Sequence, residues 1–181
     1  FFLIFYFKTN MGKLLILIRH GKSDVPNLGQ KDIDRELNHR GHSDAPRMGR
    51  KLAEMDLKPD LVVSSPSIRT TQTTEYICEQ ISYPVDKVDF QEDIYEASVR
   101  TLLRLVNELD NSLQTVFIVG HNPGFTYFSE YLTGKEIGNI PTCGVVELAF
   151  EVDDWALVSQ NTASLKHFIY PKMFLNGEEG E

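Results

Sequence analysis

Three short apolar runs punctuate the first two thirds of the chain: LLILIR (14–19), DLVVSS (60–65) and TVFIVGH (115–121). Each is continuous rather than alternating, and each gives way to polar residues at its end. A continuous run of this length predicts a strand covered on both faces, as in the middle of a parallel sheet. Between these runs the apolar period lengthens to that of a helix. Residues 43–56 set Ala45, Met48, Leu52 and Met55 on one stripe, and Lys58-Pro59 stops it. Residues 67–81 carry Ile68, Tyr76, Ile77 and Ile81 among threonines. Residues 98–109 repeat Leu102, Leu103, Leu105, Val106 and Leu109, with Ser98 as the expected N-cap. Near the C-terminus VVELAFEV (145–152) and WALVS (155–159) flank Asp153-Asp154 and predict a hairpin.

Strand and helix in alternation predict a three-layer α/β/α domain: a mostly parallel central sheet with an antiparallel edge. Its expected extent is residues 11–175. Residues 1–10, with the apolar run FFLIFYF, read as an extension upstream of Met11, or as a short surface-seeking or partner-binding tail. Seven apolar residues fall far short of the ~20 that span a bilayer, and neither a basic segment nor a small-residue cleavage site accompanies them. NGEEGE (176–181) reads as a frayed tail.

Composition narrows the class. The 181 residues are 41% hydrophobic and 24% charged, an ordinary globular balance. The net charge of −8 argues against nucleic acid or an anionic membrane as a partner, because both need a basic face. The two cysteines, Cys78 and Cys143, form no CxxC pair and read as buried thiols in a reducing cytoplasm. His39 and His42 stand i, i+3 with Asp44 nearby, but Gly41 interrupts them and no second ligand cluster supports a metal; they read as histidines of a loop entering a helix.

In parallel α/β sheets, ligands collect at the carboxyl ends of the strands. The first run ends in Arg19-His20-Gly21. The second ends in Ser64-Ser65-Pro66, followed by Arg69. The third ends in Gly120-His121-Asn122-Pro123-Gly124. Two histidines and two arginines thus become candidates for one crevice. Gly21-Lys22-Ser23 matches the close of a nucleotide-binding P-loop, yet the first glycine of that motif would fall at Ile16, inside the strand. The G-x-S-x-G elbow of serine hydrolases is missing too, since asparagine holds the central place in GHNPG. What remains is imidazole chemistry. A neutral histidine nitrogen can attack phosphorus, and arginine forks suit the equatorial oxygens of the transferring group.

These stretches, in this order, resemble the histidine phosphatase (phosphoglycerate mutase-like) superfamily, above all its short SixA-type phosphohistidine phosphatases. The likeness runs through LLILIRHGKSD (14–24), DRELNHRG (34–41), LVVSSPSIRTTQT (61–73), DIYEAS (93–98) and VFIVGHNPG (116–124). The resemblance implies that His20 takes up the phosphoryl group and that Arg19, Arg69 and His121 bind its oxygens. It places Lys22, Ser23 and Arg35 in the pocket lining, with Asn122 shaping the turn that presents His121. By motif position it points to Glu92 as the acid that protonates a departing oxygen, with Asp93 and Glu96 as rivals, or to no dedicated acid at all. It implies no cofactor and no metal. Short connections predict an open site, suited to a phosphohistidine on a protein; the alternatives are a small phosphorylated metabolite or a catalytically idle phosphate-binding module.

Overall fold

The structure, a computed structural model, describes residues 12–177. The expectations for residues 1–10 and for most of the C-terminal tail lie outside the described residues. The first apolar run forms β1 (Lys13–Arg19), and its successive side chains part to opposite faces. Leu15 and Leu17 pack with Val116, Ile118, Leu102, Phe125 and Phe128 on one side. Ile16 and Ile18 pack with Phe117, Val119, Ala45, Met48 and Ile77 on the other. All four β1 side chains are fully buried. Each contributes about 1.5–3 kcal/mol of burial, which is why both faces of this strand are uninterruptedly apolar.

The helices follow from that division. α1 (His39–Glu54) and α2 (Ile68–Ile81) cover the face of Ile16 and Ile18. α3 (Val99–Asn107) and α4 (Gly124–Thr133) cover the other. The remaining strands are β2 (Leu61–Ser64), β3 (Asp89–Phe90), β4 (Thr115–Gly120), β5 (Val145–Phe150) and β6 (Ala163–Ile169). The sheet order is β3-β2-β4-β1-β5-β6. β1, β2, β3 and β4 pair in parallel, while β5 and β6 run antiparallel to their neighbours. The three-layer α/β/α reading with an antiparallel edge therefore holds. No helix among the described residues is long and apolar enough to cross a membrane.

Three local expectations are corrected. α1 begins at His39, four residues earlier than the apolar stripe. The Asn38 side chain accepts the backbone N–H of Gly41 at 3.0 Å and caps the first turn. His39 and His42 are thus helical, not loop residues; His42 Nδ1 meets the Tyr76 hydroxyl, and Asp44 is paired with Arg40 and Arg47. WALVS is not a strand. Trp155 is fully buried, donates its Nε1–H to the Leu113 carbonyl and stacks edge-on with Phe150. Asp154 caps Ala156, so residues 155–157 coil into a single tight turn. The partner of β5 is β6 instead, starting at Ala163 opposite Phe150. Finally, α4 and the two-residue β3 were not legible in the hydrophobic pattern.

Candidate active site

β4 lies between β1 and β2, so the carboxyl ends of the three central strands open side by side. His20 follows β1, Ser65 follows β2 and His121 follows β4. Arg69 reaches the same place from the first turn of α2. Threonines tie that helix down: Gly21 N–H donates to Thr73 Oγ1, which donates to the Arg69 carbonyl. The same chain of bonds locks the position of Gly21. A Cβ there would come within 2.9 Å of Leu37 Cδ2 and 3.2 Å of Cys143 Sγ, so the turn after His20 has no room for a side chain.

The rings of His20 and His121 lie 5.1 Å apart between centroids, tilted by 55°. His20 Nδ1 lies 2.7 Å from the Gly21 carbonyl, an arrangement that requires the proton on Nδ1. Its Nε2 then carries the lone pair, and Arg69 Nε–H donates to it at 3.3 Å. Arg69 Nη2–H lies 3.5 Å from His121 Nδ1, while His121 Nε2–H is directed at Ser65 Oγ, 2.8 Å away. Burial, together with the positive charges of Arg69, Arg19 and Arg35, pushes His20 down to about 4, against the opposing pull of the Gly21 carbonyl. Burial, then His20 and Arg69, push His121 down to about 3, with Asp32 opposing. Both imidazoles are therefore neutral at cellular pH, and His20 Nε2 is a free base.

These groups line an open cavity of about 300 Å³. Arg19, His20, Lys22, Ser23, Arg35, Arg69, His121 and Asn122, all expected from the sequence, reach it. Arg19 Nη1 donates to the Ile140 carbonyl, while its buried Nε has no hydrogen-bond partner among the described residues. Asn122 Nδ2 donates to Asn139 Oδ1 and the Ile140 carbonyl, which fixes the loop beside His121. Such a concentration of guanidinium and ammonium groups around a nitrogen lone pair is suited to a phosphoryl group.

Glu92 does not reach the cavity. It opens a one-turn segment (Glu92–Ile94) in which Ile94 is the buried residue, so Glu92 and Asp93 face solvent and Asp93 pairs with Arg104. The chain then passes through Glu96 at φ 52°, a left-handed conformation, and this turn sets Glu96 in the cavity lining. Of the three carboxylates weighed from the sequence, Glu96 is the one at the site.

Asp32 escaped the sequence reading altogether. Its Oδ2 accepts Arg69 Nη2–H at 2.8 Å and the Tyr95 hydroxyl at 2.7 Å; its Oδ1 accepts Arg35 Nη1–H at 2.7 Å. Its backbone carbonyl accepts Arg69 Nη1–H at 2.6 Å. The Tyr95 ring in turn stands edge-on to His121 at 5.3 Å. These contacts hold the Asp32 carboxyl well below the usual carboxylate range, against the opposing effect of burial. The i, i+3 spacing of Asp32 and Arg35 is the one signal the sequence offered. Nothing in it linked Asp32 to Arg69.

Comparison with known proteins agrees with this arrangement. The pattern of the histidine phosphatase superfamily (branch 1) matches residues 15–98. A crystal structure from Agrobacterium tumefaciens, assigned as the phosphohistidine phosphatase SixA, superposes with a TM-score of 0.74 at 26% identity, covering 88% of this chain and 98% of that one. An uncharacterised chloroplastic protein of Arabidopsis thaliana is 27% identical over 155 residues, 81% of this chain and 71% of its own length. The mitochondrial serine/threonine-protein phosphatase Pgam5 of Drosophila melanogaster is 33% identical over 81 residues, 45% of this chain but only 27% of its own length. Matching sequence pattern over nearly half of the chain and near-complete overlap with the SixA fold converge: the chain is similar to the histidine phosphatase superfamily, above all to its short SixA-type members.

Proposed function

We propose that the protein is a phosphohistidine phosphatase working through a covalent phosphohistidine on His20. The observation that carries this reading is the polarity of the His20 ring: Nδ1–H is held by the Gly21 carbonyl, and the Nε2 lone pair faces the arginine-lined cavity. The Nε2 pair forms a bond to phosphorus as the bond from phosphorus to the substrate's imidazole nitrogen breaks. A proton on the far nitrogen of that ring lets it leave as neutral imidazole. Water then adds to phosphorus, the bond to Nε2 breaks, and orthophosphate departs with the proton balance returned to solvent. Arg19 and Arg69 bind the equatorial oxygens, whose charge is spread in the transition state, and His121 joins them as a donor once the bound phosphoryl charge draws a proton onto its Nδ1. Arg35, Lys22 and Ser23 complete the lining.

A basic leaving nitrogen needs no dedicated acid. This suits a site whose rim carriers of negative charge, Asp32 and Glu96, favour a departing group that is neutral or cationic. No step calls for a metal. Exposed Lys22, Asp32 and Glu96 mark the mouth as open, which supports a phosphorylated side chain on a protein. A second reading, hydrolysis of a small phosphate ester, is favoured by one observation: Glu96 lines the cavity, where a carboxylic acid could protonate a departing oxygen.

The test uses wild type and His20→Ala with a phosphorylated histidine-phosphotransfer protein and with an aryl phosphate, both in the presence of chelator. Wild type is expected to release phosphate from the protein substrate and His20→Ala to release none. Equal rates for the two proteins would end the covalent mechanism. Turnover of the aryl phosphate alone would replace the first reading with the second.

A further inference from the structure

One part of the phosphoryl cavity's wall comes from a segment that holds no histidine, arginine or lysine. Residues 139–144 lead into β5 and pass over the ends of β1 and β4. Several of their polar groups hold the turns after those strands. The Ile140 carbonyl accepts Arg19 Nη1–H at 2.6 Å and Asn122 Nδ2–H at 3.1 Å. Asn139 Oδ1 accepts Asn122 Nδ2–H at 2.9 Å. The Cys143 backbone N–H lies 3.1 Å from both the Arg19 and the His20 carbonyl oxygens.

Within this segment residues 141–144 form a reverse turn, in which Gly144 N–H donates to the Pro141 carbonyl at 2.8 Å. Cys143, third of the four, takes φ 57°. A positive φ at the third place is the mark of a type II turn, where glycine or asparagine is usual. The Cys143 side chain is buried, and a Cβ on Gly21 would come within 3.2 Å of its Sγ. Thr142, second in the turn, is the residue of this segment that lines the cavity. Two donors on this wall have no hydrogen-bond partner among the described residues: the buried Nε–H of Arg19 and the hydroxyl of half-buried Thr142. The other hydroxyl in the lining, Ser23 Oγ, accepts Arg35 Nη2–H at 2.9 Å.

We infer that Thr142 is a further catalytic residue, whose hydroxyl donates to the phosphoryl oxygen on the Arg19 side of the cavity. The inference deepens the reading of this cavity as the phosphoryl site and rests on it. An oxygen placed there meets a guanidinium N–H and a neutral O–H together. The hydroxyl carries no charge, so it stabilises the transferring group without adding to the mutual repulsion of Arg19, Arg69 and Arg35. It does not titrate in the working range, so its contribution is the same at every pH at which the enzyme is folded.

Thr142→Val keeps the branched shape and removes the hydroxyl; Thr142→Ser keeps the hydroxyl. Both are compared with wild type by calorimetric Kd for orthophosphate, by kcat/KM on phosphoimidazole, and by thermal unfolding with and without phosphate. Thr142→Val is expected to weaken orthophosphate about tenfold, the scale of one hydrogen bond to a charged oxygen, and to lower kcat/KM by a similar factor. Its melting temperature without phosphate should match wild type, because the hydroxyl is unpaired in the free protein, and only the rise on adding phosphate should shrink. Thr142→Ser should bind and turn over like wild type. A wild-type Kd in Thr142→Val overturns the assignment. A lower melting temperature of Thr142→Val in phosphate-free buffer overturns it too, since the hydroxyl would then serve the turn and not the ligand. An equal loss in Thr142→Ser does the same by making the methyl the group that matters. Failure of the phosphoryl-site reading is a separate result, in which wild type itself binds no orthophosphate, and it would take this assignment with it.

Discussion

Asp32→Asn probes how the phosphoryl cavity is held in shape. The carboxylate serves three donors at once: Arg69 Nη2 and the Tyr95 hydroxyl at Oδ2, and Arg35 Nη1 at Oδ1. An amide offers one oxygen. Whichever way it turns, its NH₂ faces a donor, and either Arg35 or the Arg69–Tyr95 pair is left without an acceptor. A hydrogen bond to a charged group contributes about 1.5–3 kcal/mol. The Asp32 side chain is 44% exposed, so solvent screening brings the expected loss to about 1–2 kcal/mol. Arg69, at 6% side-chain exposure, keeps its bond to the Asp32 backbone carbonyl but gains freedom to swing. Its Nε then loses its aim at His20 Nε2. If about 1.4 kcal/mol of that loss is felt in the transition state, kcat falls about tenfold. The assay is kcat and KM on phosphoimidazole, beside thermal unfolding of the same variant. A kcat within twofold of wild type would refute the positioning argument. A lowered KM at unchanged kcat would mean that the carboxylate competes with the substrate for the arginines instead of orienting them.

Acid should destabilise the fold through its two buried imidazoles. Their folded values, about 4 for His20 and about 3 for His121, lie below the ~6.5 of an unfolded histidine. Between those limits the unfolded chain binds more protons, so stability rises with pH and is lost as pH falls below ~6.5. At pH 5 the loss is about 2 kcal/mol per histidine; melting in phosphate-free buffer at pH 7 and pH 5 measures it, and equal acid sensitivity in a His20→Asn/His121→Gln variant would contradict it. Gly41→Ala should destabilise although alanine is the better helix former by about 1 kcal/mol, because its Cβ would overlap the Lys22 carbonyl oxygen, a backbone atom that cannot swing away. Unchanged thermal stability would show that the loop after β1 yields freely. Glu96→Gln should slow an aryl phosphate more than phosphoimidazole, whereas exposed Glu92→Gln should alter neither rate; the reverse pattern would return the acid to Glu92.

The strands that build this site could be read from the chain because burial on both faces imposes continuous apolar runs at 14–19, 60–65 and 115–121. Arg19, His20 and His121 were legible for the same reason: they stand at the ends of such runs or immediately after them, where topology alone delivers them to one crevice. Arg69 needed only the knowledge that a helix follows Pro66. The start of α1 was misjudged, because an asparagine cap at Asn38 precedes the apolar stripe by more than a turn. The hairpin was misplaced because Trp155 is a strand-favouring residue that the tertiary core claims as a plug, with its indole N–H satisfied by the Leu113 carbonyl.

Sequence by itself determined the layered α/β scaffold and the cluster of arginines and histidines at its strand ends, since both depend on hydrophobic period and on residues adjacent to it. Only the tertiary structure decided which carboxylates line the cavity. Asp32 and Arg69 are 37 residues apart and share no element, yet one salt bridge joins them. Glu96 lines the cavity and Glu92 does not, because a single left-handed residue redirects the chain. Long-range pairing and a local reversal of backbone direction leave no periodic trace in the chain, because each depends on what the rest of the fold brings alongside.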